Sequence, residues 1–548
     1  MSAEDIRVSA PAGQLTARRT RRIHLARWAW PVVLAAAAVV LFLCYQRLSG
    51  TTADNSDGAD QALQAWDMLH GNWLLHGWTV GDVSYYTTEL PEYIIVEMIR
   101  GLGPGVIHVA AAITYTLLVL LVGLLAKGPA TGRQGVLRVL IASGILLAPQ
   151  LGHGVTLLLS QPDHLGTQVP LLVIFIVLDR APRRWYTPTA VAVMLAWVII
   201  ADRVAVLDAA LPLVVACGIR ACWALAHDRK RLRSVWFEFS LVVAGIAAFF
   251  LSQLVVAVIR HLGGYTSLPL PTQQFVATGD IPQHLSVAVE GIFILYGADF
   301  GGVSVGAAAI AVVHLVGLVL ALWALCRAFR RFFGADLIVP VMAAGIVLNL
   351  AAYIGSVTPV TWYDSREIAA VLPFGAVLAG RLLAGTLARA WVRPVLAGVL
   401  VCYAIALGYG VAQPPAVDTD QPIVGWLEAH HLSAGLGTYA DANIITLDSG
   451  GRVAVRTVTW SLPRAVPRAY ESEASWYDPR LNYANFVINI ADPRSGREGV
   501  NIPPRDILAL AGPPAHTYHY RTFTIWTWNH NLLAELGGPP SPFPGDVG

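Results

Sequence analysis

A polytopic α-helical membrane protein with about eleven transmembrane helices, followed by an extracytoplasmic α/β domain, is the fold class that this sequence predicts. Three observations carry that expectation. The 548-residue chain is 55% hydrophobic and 13% charged, with a mean hydropathy of +0.57, whereas a soluble protein carries about a quarter charged residues. Apolar runs long enough to cross a bilayer recur as far as Val411. Beyond that point the pattern changes to short strand-like runs between Gly and Pro.

The elements follow in chain order. A basic stretch (Arg18, Arg19, Arg21, Arg22 and Arg27) precedes the apolar run from Trp28 to Leu48. It has no small-residue cleavage site, which predicts a retained first span rather than a signal peptide. A crossing needs roughly 20 apolar residues. Further spans are expected near 105–126, 136–152, 165–180, 187–201, 206–226, 235–259, 303–325, 337–355, 368–387 and 393–411, the runs at 136–152 and 187–201 being short.

Basic residues set the expected orientation, because Lys and Arg are retained on the cytoplasmic side. After the N-terminal arginines they recur on alternate loops: Lys127 with Arg133, Arg180 with Arg183 and Arg184, Arg229 to Arg233, Arg327 with Arg330 and Arg331, then Arg389 and Arg393. The two lysines of the chain, Lys127 and Lys230, both fall on this side. The expected organisation is a cytoplasmic basic N-terminus (1–27), a membrane domain (28–411) with outer loops 49–104, 260–302 and 356–367, and an extracytoplasmic α/β domain (412–548) with a loose Pro-rich end.

In the first outer loop, Ala62, Leu63, Ala65, Trp66 and Leu69 repeat at helical spacing and stop at Gly71. Pro91 then opens a second amphipathic helix with Ile94, Ile95, Met98, Ile99 and Leu102 on one side. Such helices lie along a bilayer surface. Loop 260–302 is similar, with Gly263-Gly264, Pro269, Pro271 and an apolar stretch from Leu285 to Tyr296. The tail predicts strands over 452–460, 484–490 and 518–528 and a helix near 423–431.

Several classes are disfavoured. A net charge of +2 gives no reason to expect nucleic acid. The cysteines Cys44, Cys217, Cys222, Cys326 and Cys402 lie in or beside apolar runs, which argues against a disulfide framework or zinc site. No Gly-rich nucleotide loop, Walker motif or Ser-centred elbow is present. No motif calls for a cofactor, and the sequence leaves a divalent metal open.

The candidate chemistry lies in the outer loops. The stretch Asp54-Asn55-Ser56-Asp57-Gly58-Ala59-Asp60 begins a few residues after the first span and is acidic. A carboxylate held at the bilayer surface suits proton chemistry on a lipid-carried substrate. With Leu63 to Asn72, with Thr87-Thr88-Glu89-Leu90-Pro91, and with Ala442 to Gly451 in the tail, it resembles the GT-C glycosyltransferase superfamily, in the branch of protein O-mannosyltransferases and lipid A aminoarabinose transferases. The resemblance covers the architecture of the membrane part and extends to actinobacterial members. It implies a polyprenyl-phosphate sugar donor, membrane lipid contact, and transfer to an extracytoplasmic glycan, lipid or protein. Family members place an acid in the first outer loop before a surface helix, which here is Asp57 or Asp60. They usually show Asp-Glu there, whereas Asp57 is followed by Gly58, so the two acids stay open as the base.

An inverting transfer needs a base for the acceptor hydroxyl and a group that stabilises the departing phosphate. Asp57 is the first candidate for the base, with helix capping as the plainer role. Glu89 is positioned to bind the acceptor or orient the base, or else to complement a helix dipole. Asp163 and His164 suit a cleft lining or a metal, with a surface His as the alternative. Asp202 beside Arg203 reads as a local ion pair before a catalytic group. Arg366, in Tyr363-Asp364-Ser365-Arg366-Glu367, is the phosphate candidate, since a guanidinium pairs with phosphate in a planar fork. Its plainer role is a pair with Glu367 or Asp364. The aromatic residues of the tail, Tyr439 among them, suit sugar stacking or core packing. The rival reading is a transporter or lipid flippase, which would place its ionisable residues inside the spans.

Overall fold

The computed structural model describes residues 12–227, 232–267, 275–301, 305–334, 336–389, 392–416, 421–461, 464–493 and 501–537. Residues 228–231 of one basic loop, Pro269, Pro271 and the Pro-rich end from 538 lie outside the described residues.

Among the described residues, seven helices are long and apolar enough to cross a membrane, or nine if each of two bent pairs makes one crossing. The shortfall from the eleven expected has a physical reason. The helices Gly132–Leu146 and Tyr186–Ala201, at 15 and 16 residues, reach about 23 Å at 1.5 Å per residue, less than a hydrocarbon core of ~30 Å.

The helix Val106–Lys127 is central. It packs against the first helix, against Gly132–Leu146, Asp163–Arg180 and Val371–Leu387, and 72% of its apolar window is buried, against 11% for the peripheral Arg393–Val411. Gly380 allows one close approach: a Cβ there would meet the Arg138 carbonyl at 2.7 Å. Arg381, on the next position, hydrogen-bonds Asp179 Oδ2 at 2.7 Å, Asp336 Oδ2 at 2.8 Å and the Leu125 carbonyl at 2.7 Å. A buried guanidinium needs such a complete set of acceptors, and this one ties three segments at the end of the bundle away from Asp163.

Two bent pairs matter most for the site. His153–Leu159 and Asp163–Arg180 meet at 56°, and the 3₁₀ turn Trp362–Ile368 meets Val371–Leu387 at 54°. Irregular backbone at membrane depth survives only where protein or a cavity satisfies its polar groups.

The strands, in chain order, are β1 (Trp78–Val80), β2 (Thr266–Ser267), β3 (Ala434–Gly437), β4 (Ala454–Ser461), β5 (Arg464–Pro467), β6 (Ser472–Glu473), β7 (Phe486–Val487), β8 (His516–Tyr520) and β9 (Phe523–Thr527). They form a six-stranded sheet, β5-β4-β3-β7-β9-β8, and a three-stranded one, β2-β1-β6. In the larger sheet β3 is parallel to β4 and β7, and the helix Tyr439–Asp448 makes the crossover from β3 to β4. Buried side chains on either face form separate clusters, one around Ile423, Val455 and Phe486, the other around Leu436, Val487 and Trp528.

The small sheet knits three distant segments. Thr79 pairs with Thr266 from loop 260–302 and with Ser472 from the tail. A further apolar cluster joins Ala62, Leu63, Tyr93 and Ile107 to Ile444 and Leu447 of the crossover helix. The tail is therefore packed onto the first loop.

Local differences from the sequence expectation are few. The run 518–528 is a hairpin rather than one strand, with Arg521 at φ +52° in its turn. The crossover helix Tyr439–Asp448 is an element that no sequence signal marks. Glu89, not Pro91, begins the second surface helix.

Candidate functional site

The helix Ser56–Leu69 starts because Asn55, in extended conformation, accepts the Gly58 N–H with its side chain at 2.8 Å. Asn55 is thus the cap, and the capping role weighed for Asp57 does not apply. Asp57 sits in the first turn with both carboxylate oxygens engaged. Tyr439 donates its O–H to Oδ1 at 2.6 Å, and Arg366 Nη1 donates to Oδ2 at 3.2 Å. The Asp57 and Arg366 side chains stay 29% and 28% exposed, so both border open space.

Asp60, one turn on, is 1% exposed and accepts from Gln64. Burial pushes its carboxyl well above the usual carboxylate range, and the Asp57 charge adds to this. Of the two acids left open by the sequence, Asp57 faces the cleft and Asp60 lies beneath it.

Both helix breaks deliver side chains to the same point. Asp163 follows Pro162 with φ +44°, a left-handed conformation uncommon outside glycine. Its Oδ1 accepts from Tyr85 and its Oδ2 from Arg366 Nη1 at 3.3 Å. Arg366 also stacks against Tyr363, 4.8 Å from the ring centroid. Its expected local partners go elsewhere. Asp364 forms a capping box with Thr361, and Glu367 Oε1 lies 3.2 Å from His164 Nε2. The ion pairs of Arg366 are long-range ones to Asp57 and Asp163.

His164 is buried, not a surface residue. Its Nδ1 lies 2.8 Å from Asp202 Oδ2, so each ring nitrogen faces a carboxylate, as the two N–H groups of an imidazolium require. Asp202 is fully enclosed and turns to His164 rather than to Arg203. Thr167 donates to Asp202 Oδ2 at 2.8 Å and lies 3.3 Å from Glu89 Oε1. Glu89 is buried in the first turn of the helix Glu89–Arg100, a position that suits the dipole-complementing role as well as contact with Thr167. Burial pushes its carboxyl well above the usual range. Gly166 makes room for it: a Cβ there would lie 2.3 Å from Glu89 Oε1.

A continuous chain therefore runs Glu89, Thr167, Asp202, His164, Glu367, beside a second one of Asp163, Arg366, Asp57 and Tyr439. The structure gathers Asp57, Glu89, Asp163, His164, Asp202, Arg366 and Glu367 into these two contiguous networks, with Asp60 below. Next to Glu89, Thr88 and Gly166 line an apolar groove of about 590 Å³ whose walls include Ile95, Ile113, Val173, Val193 and Trp197. Among the described residues, no group of three or more His, Cys, Asp or Glu side chains is placed to hold a metal ion.

Tyr85 and Thr167, polar members of the two networks, carry no mark in the sequence beyond their loop and span positions. Tyr439 is marked in the sequence as one tail aromatic among many, three residues before the Ala442–Gly451 stretch. Glu471, which the Tyr439 hydroxyl also contacts, carries no sequence mark at all.

No family model matches the chain, and no curated protein matches it. Among solved structures it is similar to the oligosaccharyltransferase of Archaeoglobus fulgidus tethered with an acceptor peptide containing the NVT sequon. There the identity is 12%, the match covers 83% of this chain and 69% of that chain, and the TM-score is 0.45. The apo form of that protein gives 12%, 83%, 69% and 0.46. The archaeal oligosaccharyltransferase AglB from the same organism, in complex with an inhibitory peptide and a dolichol-phosphate, gives 13%, 84%, 70% and 0.43.

Proposed function

We propose that this chain is an integral membrane glycosyltransferase that moves a sugar, with inversion, from a polyprenyl-phosphate carrier to an extracytoplasmic acceptor: a cell-wall glycan, a lipid or a protein. The observation that carries the reading is Arg366 held between Asp57 and Asp163 where two bent helices break, at one end of an apolar bundle. The apolar groove beside Thr88 and Gly166 suits an isoprenoid chain.

In this reading Asp57 is the base. Its Oδ2 takes the acceptor hydroxyl proton while the acceptor oxygen bonds to the anomeric carbon from the face opposite the phosphate. The bond from that carbon to the phosphate oxygen breaks, and its electron pair leaves with the phosphate. Arg366 meets the growing charge. Its contacts to Asp57, Asp163 and Tyr363 all use Nη1, which leaves the Nε and Nη2 edge for a phosphate in the planar fork. Glu367, fixed by His164, and Glu89, fixed by Thr167, are the residues assigned to orienting the substrates. The domain limits and the orientation, with the N-terminus cytoplasmic and the tail outside, belong to the same proposal.

The test is a transfer assay in membranes with a panel of labelled polyprenyl-phosphate sugars and anomeric analysis of the product. Inverted product with one donor supports the reading, and no transfer with any donor contradicts it.

A further inference from the structure

The Tyr439 hydroxyl carries one proton and touches two carboxyl groups, Asp57 Oδ1 at 2.6 Å and Glu471 Oε2. It can donate to one of them; the other must donate to it. The surroundings decide which. Asp57 accepts from Arg366 at 3.2 Å through its second oxygen, so it is the carboxyl with a cation at hand. Glu471 forms no salt bridge among the described residues, and the nearby Arg468 instead lies over the Tyr439 ring, 4.2 Å from its centroid.

Glu471 is also built into place. Its φ is +54°, a backbone state that persists in a non-glycine residue only where the surroundings impose it. The next residue, Ser472, is paired with Thr79 of β1, which anchors the chain at this point. Gly81 clears the space for the carboxyl, since a Cβ there would lie 2.9 Å from Glu471 Oε1. Tyr439 is fixed by the first loop itself: Ser56 Oγ donates to the Tyr439 carbonyl at 2.7 Å and reaches the Ala440 carbonyl at 3.0 Å.

We propose that Glu471 and Tyr439 are positioning residues for the base: Glu471 donates its carboxylic proton to the Tyr439 hydroxyl oxygen, Tyr439 donates its own to Asp57 Oδ1, and the chain leaves Asp57 Oδ2 turned to Arg366 and the cleft. Burial, with the Asp60 and Asp57 charges added, pushes the Glu471 carboxyl well above the usual range, in agreement with a neutral Glu471. The tail thereby completes a site whose base belongs to the membrane part. What Asp57 does rests on the glycosyltransferase reading; where the protons sit does not.

Two measurements on the purified full-length protein test this. In the infrared difference between wild type and Glu471→Gln, the carbonyl stretch of a protonated carboxylic acid is expected to be lost in the variant. Absence of that band overturns the proposal whatever the transfer assay shows. In donor-saturation kinetics, Tyr439→Phe is expected to lower kcat about tenfold to a hundredfold, the range for a hydrogen bond to a charged group, with the donor KM unchanged. Glu471→Ala should fall similarly. Glu471→Gln, which keeps an N–H donor for Tyr439, should retain about tenfold more activity than Glu471→Ala. The Tyr439→Phe/Glu471→Ala double variant should be no worse than the poorer single one, because Glu471 acts through Tyr439. Equal loss in Gln and Ala, full activity in Tyr439→Phe, or additive losses would each overturn it. If the wild type transfers no sugar while the infrared band is present, the glycosyltransferase reading fails and the proton placement stands.

Discussion

Asp57 is singled out by its two partners rather than by its position in an acidic stretch. Because Asn55 caps the helix, Asp57→Asn removes the proton acceptor without uncapping it. The expected result is a loss of transfer of about a hundredfold to ten-thousandfold in a protein that still folds. Asp60→Asn, beneath the cleft, should lose far less, and the reverse order would move the base to Asp60. Arg366 gives a second residue-scale prediction. Lys retains its charge but not the planar fork, so Arg366→Lys and Arg366→Ala should both raise the donor KM and lower kcat. Wild-type donor kinetics in a folded Arg366→Ala would leave Arg366 as a structural clamp on Asp163. Both residues could be picked from the sequence by type and by their place at loop edges. Their contact could not, since it joins positions 309 apart in the chain. The local pairs expected for Arg366 and Asp202 do not form because distant partners take their place, Asp57 and Asp163 for Arg366 and His164 for Asp202. Glu471 was invisible because its role depends on a two-residue strand and a left-handed φ.

Elements whose spacing alone defines them were legible: the helix Ser56–Leu69, the long spans, and strand β4, although that helix is packed between the tail and the rest of the first loop rather than laid on a surface. The hairpin β8–β9 was not, because Arg521 takes a positive φ without a glycine to mark it. The two helix breaks fall in or beside the polar stretches Gln161 to His164 and Tyr363 to Glu367, but hydropathy marks only an interruption there and not the angle between the flanking helices. The second surface helix, Glu89–Arg100, supports a stability prediction. It buries Glu97, whose two carboxyl oxygens have no hydrogen-bond partner among the described residues. Burial pushes this carboxyl up from 4.5 to about 9, so it is neutral in the folded protein at pH 7 and ionised in the unfolded chain. Such a raised group contributes stability that is fully present below about pH 4.5 and lost as pH rises toward 9. At neutral pH the loss is ~3 kcal/mol. Glu97→Gln should therefore raise the melting temperature in detergent, by more at pH 8 than at pH 5. An equal shift at the two pH values would mean that the carboxyl is not neutral in the fold.

At the scale of the whole molecule, alternating basic loops and the packing of the tail on the first loop make one claim: both lie on the same side of the membrane. Loop charge gives the same expectation from the sequence, but the small sheet that unites loops 49–104 and 260–302 with the tail was not legible, because strands of two or three residues have no period to detect. Cysteines introduced at Trp73 and Arg480, both exposed, in a background lacking the native cysteines, should be labelled in intact cells by an impermeant reagent, and one at Ala226 should be spared. The opposite pattern would invert the map.

The measurement that bears most directly on the central claim is sugar transfer by purified protein reconstituted in lipid, wild type beside Asp57→Asn, with labelled polyprenyl-phosphate sugars as donors. The account predicts inverted product from the wild type with one of these donors and almost none from Asp57→Asn. No product with any donor, or equal product from the two proteins, would contradict it.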